Sequence, residues 1–349
     1  MAYTTINKST EHFNTTLHTG NGSTQSITGV GFQPDLTWIK RRSADGWHWF
    51  TDAVRGTTKT IYSNTTTAEE TNTNGLTAFG TDGFTVGSAA DINGNTQTHV
   101  AWNWKANGAG STNYDGDITS TVSANTTAGF SIVSYTGSGT ASDTVGHGLG
   151  VTPAMIIVKN RTEATSWCVA HKSLSTDKVL RLEGTNAEGD IGDGELDSPP
   201  NNSSTFGFNN GTSGTPLKVV NESSDNYIAY CFAEKKGFSK FGSYTGNGST
   251  NGTFVYTGFK PAFLIAKRTN AASSWGMWDS KRDPTNQMSK ALFPDLSNAE
   301  GTDYYIDFLS NGFKWRLSGS GENGSGSTYI YMAFGQSIVG SNNIPATAR

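Results

Sequence analysis

The chain has 349 residues, of which 34% are hydrophobic and only 15% charged, with 42 glycines and a net charge of −4. Helix formers are scarce, which argues against a helical fold, and 9 Trp, 12 Tyr and 18 Phe give too much surface to bury for a disordered chain. The acidic balance leaves no basic footprint for nucleic acid, and no run approaches the ~20 apolar residues of a membrane span, so neither nucleic-acid binding nor membrane insertion is expected.

The polar start MAYTTINKST has no signal-peptide core, so a soluble protein made in a cytoplasm is expected. A first strand ends at His18 and leads into TGNGST, Thr19 to Thr24, which returns letter for letter at Thr245 to Thr250 and as TGSGT at Thr136 to Thr140. Glycine supplies positive φ there and Asn tolerates the left-handed region, so the loop reads as a polar turn. A phosphate cradle would need a helix N-terminus or a following Lys-Ser/Thr, and neither is present.

After the loop comes a proline that opens an apolar run ending in lysine: PDLTWIK from Pro34, PAMIIVK from Pro153 and PAFLIAK from Pro261. Apolar residues at almost every position predict a strand covered on both faces. Tryptophans follow, Trp47 and Trp49, then Trp167, then Trp275 and Trp278. Ala68-Glu69, Asn186-Ala187-Glu188 and Asn298-Ala299-Glu300 read as turn punctuation. Gly-Phe pairs stand at Gly83-Phe84, Gly207-Phe208 and Gly312-Phe313, and each copy closes on an alternating strand, HVAWNWK, YIAYCFA or YIYMAFG. One order of landmarks met three times is the mark of a repeat.

The fold class expected is all-β: three tandem repeated β-sandwich modules of jelly-roll or lectin-like type. The division is 1–108 for the first module with a short N-terminal arm, 109–127 for a linker, 128–236 for the second module, 237–337 for the third and 338–349 for a C-terminal tail. Cys168 and Cys231 sit in apolar strands without metal-ligand spacing, which predicts buried free thiols.

Catalytic residues, metal ligands and cofactors are not expected. The six histidines form no H-x-x-x-H or H-E pair, and His18 and His99 occupy columns held elsewhere by tyrosine. The run carrying Asp190, Asp193, Glu195 and Asp197 lacks calcium-loop spacing and reads as a solvated insertion. Asp52-x-x-Arg55 and Asp279-x-x-Arg282 read as loop-fixing pairs, with His171 near that place in the second copy. The candidate ligand-binding residues are the tryptophans Trp47, Trp49, Trp167, Trp275 and Trp278, read as an aromatic surface for sugar rings or partner proteins.

GFQPDLTWIKRR, HVAWNWKANG, GHGLGVTPAMIIVKNR, YIAYCFAEKKGFSKFGSYTGNG and YIYMAF carry a resemblance. The chain resembles structural proteins of marine tailed bacteriophages, of the tail-fibre-like or SPRY-like kind, over nearly its whole length. It departs near the end, where YMAFGQSIVG stands in place of YMAFAE. The resemblance implies a virion structural protein, assembled in the host cytoplasm, whose partners are other tail or capsid proteins and a host surface glycan. The first placement is a tail-fibre or receptor-binding appendage for host attachment, acting by adhesion as a homo-oligomer, with a trimer favoured. Capsid head decoration or a head fibre is the alternative, and a glycan-degrading tailspike enzyme comes last because no acid pair recurs.

Overall fold

In the computed structural model the described residues are 4–190, 195–209 and 217–337; the expected tail 338–349 and Asp193 of the acidic run lie outside them. The described chain is all-β and its strand pairings are antiparallel. One large sheet includes Phe13–Thr19, Thr98–Trp104, Leu36–Arg41 and Trp49–Asp52 in that spatial order. A second places Phe130–Thr136, Asn226–Phe232, Met155–Asn160 and Cys168–His171 side by side. A third runs Ser239–Thr245, Thr328–Gly335, Pro261–Arg268 and Gly276–Asp279. In each, the last strand in sequence lies between the first strand and the proline-led strand.

Each large sheet has a three-stranded companion. These are Gln25–Thr28 with Gly83–Val86 and Leu76–Gly80, then Thr144–Gly146 with Thr205–Asn209 and Glu195–Leu196, then Phe254–Tyr256 with Gly312–Trp315 and Ile306–Leu309. We call each large sheet with its companion a unit. In the second unit Val145 faces Phe206 rather than Phe208, so Gly207-Phe208 does not take the place of the other two Gly-Phe pairs.

The apolar alternation explains how the units are joined. On the three closing strands Val100, Trp102 and Trp104, Ile228, Tyr230 and Phe232, and Ile330, Met332 and Phe334 all enter one core shared by the units. The intervening residues Ala101, Ala229 and Ala333 face the separate core between each large sheet and its companion. Neighbours on a strand point to opposite faces, so each large sheet is apolar on both. The shared core is aromatic at its centre: Phe13 stacks on Phe334 at 4.9 Å and Trp104 lies edge-on to Phe232 at 6.2 Å.

The stretch 109–127, expected as a linker, instead carries strands Ser111–Asn113 and Ser120–Asn125, which extend the second large sheet beside Phe130–Thr136. Its Gly, Ser and Asn content hid two anchors, Ile118 and Val122, that enter the second unit's core.

The TGNGST loops are held from within. Asn93, Asn221 and Asn323 have no exposed surface, and their side-chain oxygens accept the N–H of Asn21, Ser138 and Asn247 at 3.1, 2.9 and 3.1 Å. The two glycines of one loop serve different needs. A Cβ on Gly246 would lie 2.3 Å from the Gly324 carbonyl, whereas Gly248 adopts a φ of +65°. The loop is therefore built for close packing against a buried amide.

Candidate functional site

The register of the tryptophan strands places the candidate aromatics. Leu36 faces Asp52, Met155 faces His171 and Phe263 faces Asp279, so these three strand ends are equivalent. Counting back four residues, His48 matches Trp167 and Trp275, while Trp49 matches Cys168 and Gly276. Trp278 belongs to another column, beside Leu264. Trp49, Trp167, Trp275 and Trp278 are buried, and Trp47 alone of the five is exposed, at 38%, with its ring edge-on to Tyr62. The expected aromatic surface is thus corrected: four of its five members are core, because both faces of each large sheet are covered.

Two of the buried tryptophans join units. The Trp167 indole N–H donates to the Tyr62 carbonyl of the first unit at 3.0 Å, and that of Trp275 to the Arg181 carbonyl of the second at 2.8 Å. In the first unit His48 stands in that column, its Nδ1 accepting the Trp38 indole N–H at 2.9 Å.

The Asp-x-x-Arg pairs extend into relays that cross between units. Asp279 accepts the backbone N–H of Arg282 at 2.9 Å, which fixes the turn, and also pairs with its guanidinium. Arg282 reaches Glu300 at 3.1 Å, and Glu300 is gripped by both arms of Arg42 of the first unit at 2.9 Å. Between the first and second units the order repeats as Asp52, Arg55, Glu69 and Arg161, with Arg55 to Glu69 at 3.2 Å and Glu69 to Arg161 at 2.9 and 3.0 Å. Burial pushes Glu69 and Glu300 upward, but the guanidinium groups prevail and hold both below the usual glutamate range.

The remaining contact, between the second and third units, keeps the turn geometry and lacks the Asp–Arg pair; its ion pair is Lys240 of the third unit with Glu234 of the second, at 2.6 Å. His171 replaces the aspartate: its Nδ1 accepts the Ser173 N–H at 3.1 Å and its Nε2 donates to the Tyr331 carbonyl at 3.2 Å. Leu174 stands where the arginine would be. One backbone bond is common to all three contacts, from the N–H of Glu69, Glu188 and Glu300 to the carbonyl of Arg161, Thr269 and Arg42. First binds second, second binds third and third binds first, so the units close into a ring within one chain. The glutamates read as turn punctuation are its clasps.

Two of the three repeated lysines serve the same joints, and Lys159 bonds to Asn160 and Glu163 of its own unit. Lys40, Lys159 and Lys267 are buried, and each ammonium donates to the carbonyl of the next residue, at 3.0, 2.7 and 2.8 Å. Lys40 also reaches Ser297 and Lys267 reaches Thr185, each in the neighbouring unit. Burial pulls all three down to about 8. The Lys40-Arg41-Arg42 cluster is therefore engaged internally, with Arg41 on Asp91 at 3.2 Å and Arg42 on Glu300.

Cys168 and Cys231 are free and buried, and burial raises both thiols, Cys231 to about 12. Among the described residues no group of three His, Cys, Asp or Glu side chains is placed to hold a metal ion. Within the acidic run, Asp190 pairs with Lys178 at 3.2 Å. A cleft of about 510 Å³ between the first and third units is lined by Phe13, Asn14, Lys260, Lys281, Pro284 and Gln336 among others, with no carboxylate, imidazole or thiol among the described residues of its lining.

Besides Trp47, the exposed aromatics among the described residues are Tyr114, 78% exposed and single, just after the edge strand Ser111–Asn113 of the second unit, and a pair in the third. Phe254 and Tyr256 are 44% and 61% exposed on an edge strand of the third unit's small sheet, with Val255 between them facing the core. The signal was present in the sequence: FVY stands where the other units have SIT and TVG.

The buried imidazoles predict an acid response. Burial holds His99 and His171 down to about 3 and His48 well below its ordinary value. Between about 3 and 6.5 the unfolded chain binds protons that the folded chain refuses, so stability falls as pH falls through that window. Each such group contributes up to about 1.4 kcal/mol per pH unit there. Glu322, raised by burial to about 7, acts the other way between about 4.5 and 7. A lower urea midpoint at pH 5 than at pH 7 is expected, with a smaller drop in His171→Gln; equal midpoints would contradict this reading.

No curated protein and no solved structure matches the chain. A family match covers residues 8–337, which takes in all three units and every clasp between them. The chain therefore belongs to the family described as Domain of unknown function (DUF7483).

Proposed function

We propose that the protein is a bacteriophage virion structural protein, a tail-fibre or receptor-binding appendage component that attaches to the host by non-catalytic adhesion. The observation that carries the adhesive part is the contrast between interior and surface. The recurring charged and tryptophan side chains are spent on joining units, while among the described residues the third unit alone displays an aromatic pair to solvent beside an unpaired sheet edge. The virion part rests on the motif resemblance. In this reading several copies act together, a homotrimer at the appendage, and multivalent contact makes weak single sites sufficient.

Capsid head decoration is the second reading, favoured by the closed ring: a body with its own approximate threefold shape suits a threefold position on a shell. Immunogold labelling of intact particles separates the two. Gold at tail tips, with adsorption blocked by the same antibody, is the expected result. Gold over the shell alone would transfer the protein to the head, and particles without label would remove it from the virion.

A further inference from the structure

The repeat supplies an internal control. Three small sheets share a backbone pattern, so a side chain that the fold requires should recur in each, and one found in a single unit answers to something else. On the outer face of the edge strand the first unit has Ser26 and Thr28, both exposed and polar. The second has Thr144 and Gly146, and the chain itself covers them: Ile118 bridges Val145, Asp117 accepts the Thr144 N–H at 3.0 Å, and a Cβ on Gly146 would meet Asn113 Oδ1 at 1.9 Å. The third has Phe254 and Tyr256, exposed, and among the described residues nothing bridges their outer edge.

The surroundings of that pair are equally specific to the third unit. Lys314 lies directly across from Phe254, and Asp307 lies across from Lys314 on the far strand. Asp307 is taken by Arg316. Two cations therefore face one carboxylate, and Lys314 has no ion-pair partner among the described residues. The Phe254 ring leans over Gly312, where a Cβ would meet its Cε2 and Cζ at 2.9 and 3.0 Å. Alternate residues on a strand lie roughly 7 Å apart on one face, a spacing suited to neighbouring sugar rings. Directly opposed side chains have Cβ atoms about 5 Å apart, so the ammonium of Lys314 is within reach of a group seated on Phe254.

We propose that Phe254, Tyr256 and Lys314 form a binding site for an acidic saccharide, the rings taking the C–H faces of pyranose units and Lys314 a uronate carboxylate. This rests on the adhesion reading above and names its ligand class. A peptide strand is disfavoured, because the unit that does accept one carries Thr and Gly beneath it, and two aromatic rings would occupy the space its covering segment fills.

The test is calorimetric titration of the intact chain with oligogalacturonate, alginate oligomers and hyaluronan fragments, and with maltooligosaccharide as the neutral control. Saturable binding of at least one uronate oligomer, at least tenfold tighter than the neutral sugar, is expected. Phe254→Ala and Tyr256→Ala should each weaken it tenfold or more with unchanged urea midpoints, Lys314→Gln should bring the uronate down to the neutral level, and Ser26→Ala should change nothing. No binding of any of the three uronates, binding equal to the neutral sugar, or binding untouched by the aromatic changes would overturn the proposal. So would binding of a peptide with the sequence of residues 113–118 in place of sugar. The isolated chain reports on this site and particle labelling on adhesion. Tail-tip label without uronate binding removes only the site, and uronate binding without any virion label removes only the placement.

Discussion

Arg282→Met lowers the free energy of unfolding by about 3–5 kcal/mol, the usual cost of removing one partner from a buried ion pair. Arg282 has no exposed side-chain surface, pairs with Asp279 and Glu300, donates to the Met277 carbonyl at 2.9 Å and lies 5.6 Å from the centre of the Trp102 ring. Without it, the Asp279 carboxyl group is left in the core without its cation, with the Trp102 N–H as its cross-unit donor, at 3.0 Å. The second unit indicates how to relieve the loss, since His171 and Leu174 occupy those two places without charge. The double change Asp279→His with Arg282→Leu is expected to cost less than Arg282→Met alone, because replacing both members of a buried pair avoids stranding a charge. Urea titration of the two variants measures the difference, and a double variant as unstable as the single one would contradict the assignment.

Trp167→Ala is expected to cost about 3–5 kcal/mol, in the range for truncating a large buried aromatic. Trp167 packs against Phe50 of the first unit at 5.4 Å, and its N–H satisfies the Tyr62 carbonyl. Trp47→Ala, with its ring partly in solvent, is expected to cost no more than roughly 1 kcal/mol. Chemical denaturation followed by far-ultraviolet circular dichroism makes the comparison independent of the lost fluorophore. Equal losses in the two variants would return Trp47 to the core.

The all-β class was legible in the composition, and so was the two-sided burial of the proline-led strands, because an unbroken apolar run has no solvent face to offer. The alternation of the closing strands was legible only in part. Val100, Trp102 and Trp104 show one apolar face, but Ala101 on the other is small, and small residues do not announce a second core. The clasps were hidden by distance along the chain. Glu69 meets Arg161 92 residues later and Arg42 meets Glu300 258 residues later, separations that no local spacing rule spans. The tryptophans misled because order alone aligned them. Strand register puts His48, not Trp47 or Trp49, in the column of Trp167 and Trp275. Phe254 and Tyr256 were within reach, since reading the edge strands against one another isolates the one copy with aromatics.

The units form one body around a shared core, locked by clasps in a ring. Pulsed hydrogen–deuterium exchange across a urea titration tests this directly, following peptides from Thr98–Trp104, Asn226–Phe232 and Thr328–Gly335 separately. If Trp102, Tyr230 and Met332 share one core, the three closing strands lose protection at a single urea concentration and Arg282→Met shifts all three together. Three separate midpoints, with Arg282→Met moving only Thr328–Gly335, would show independent units and contradict the shared core.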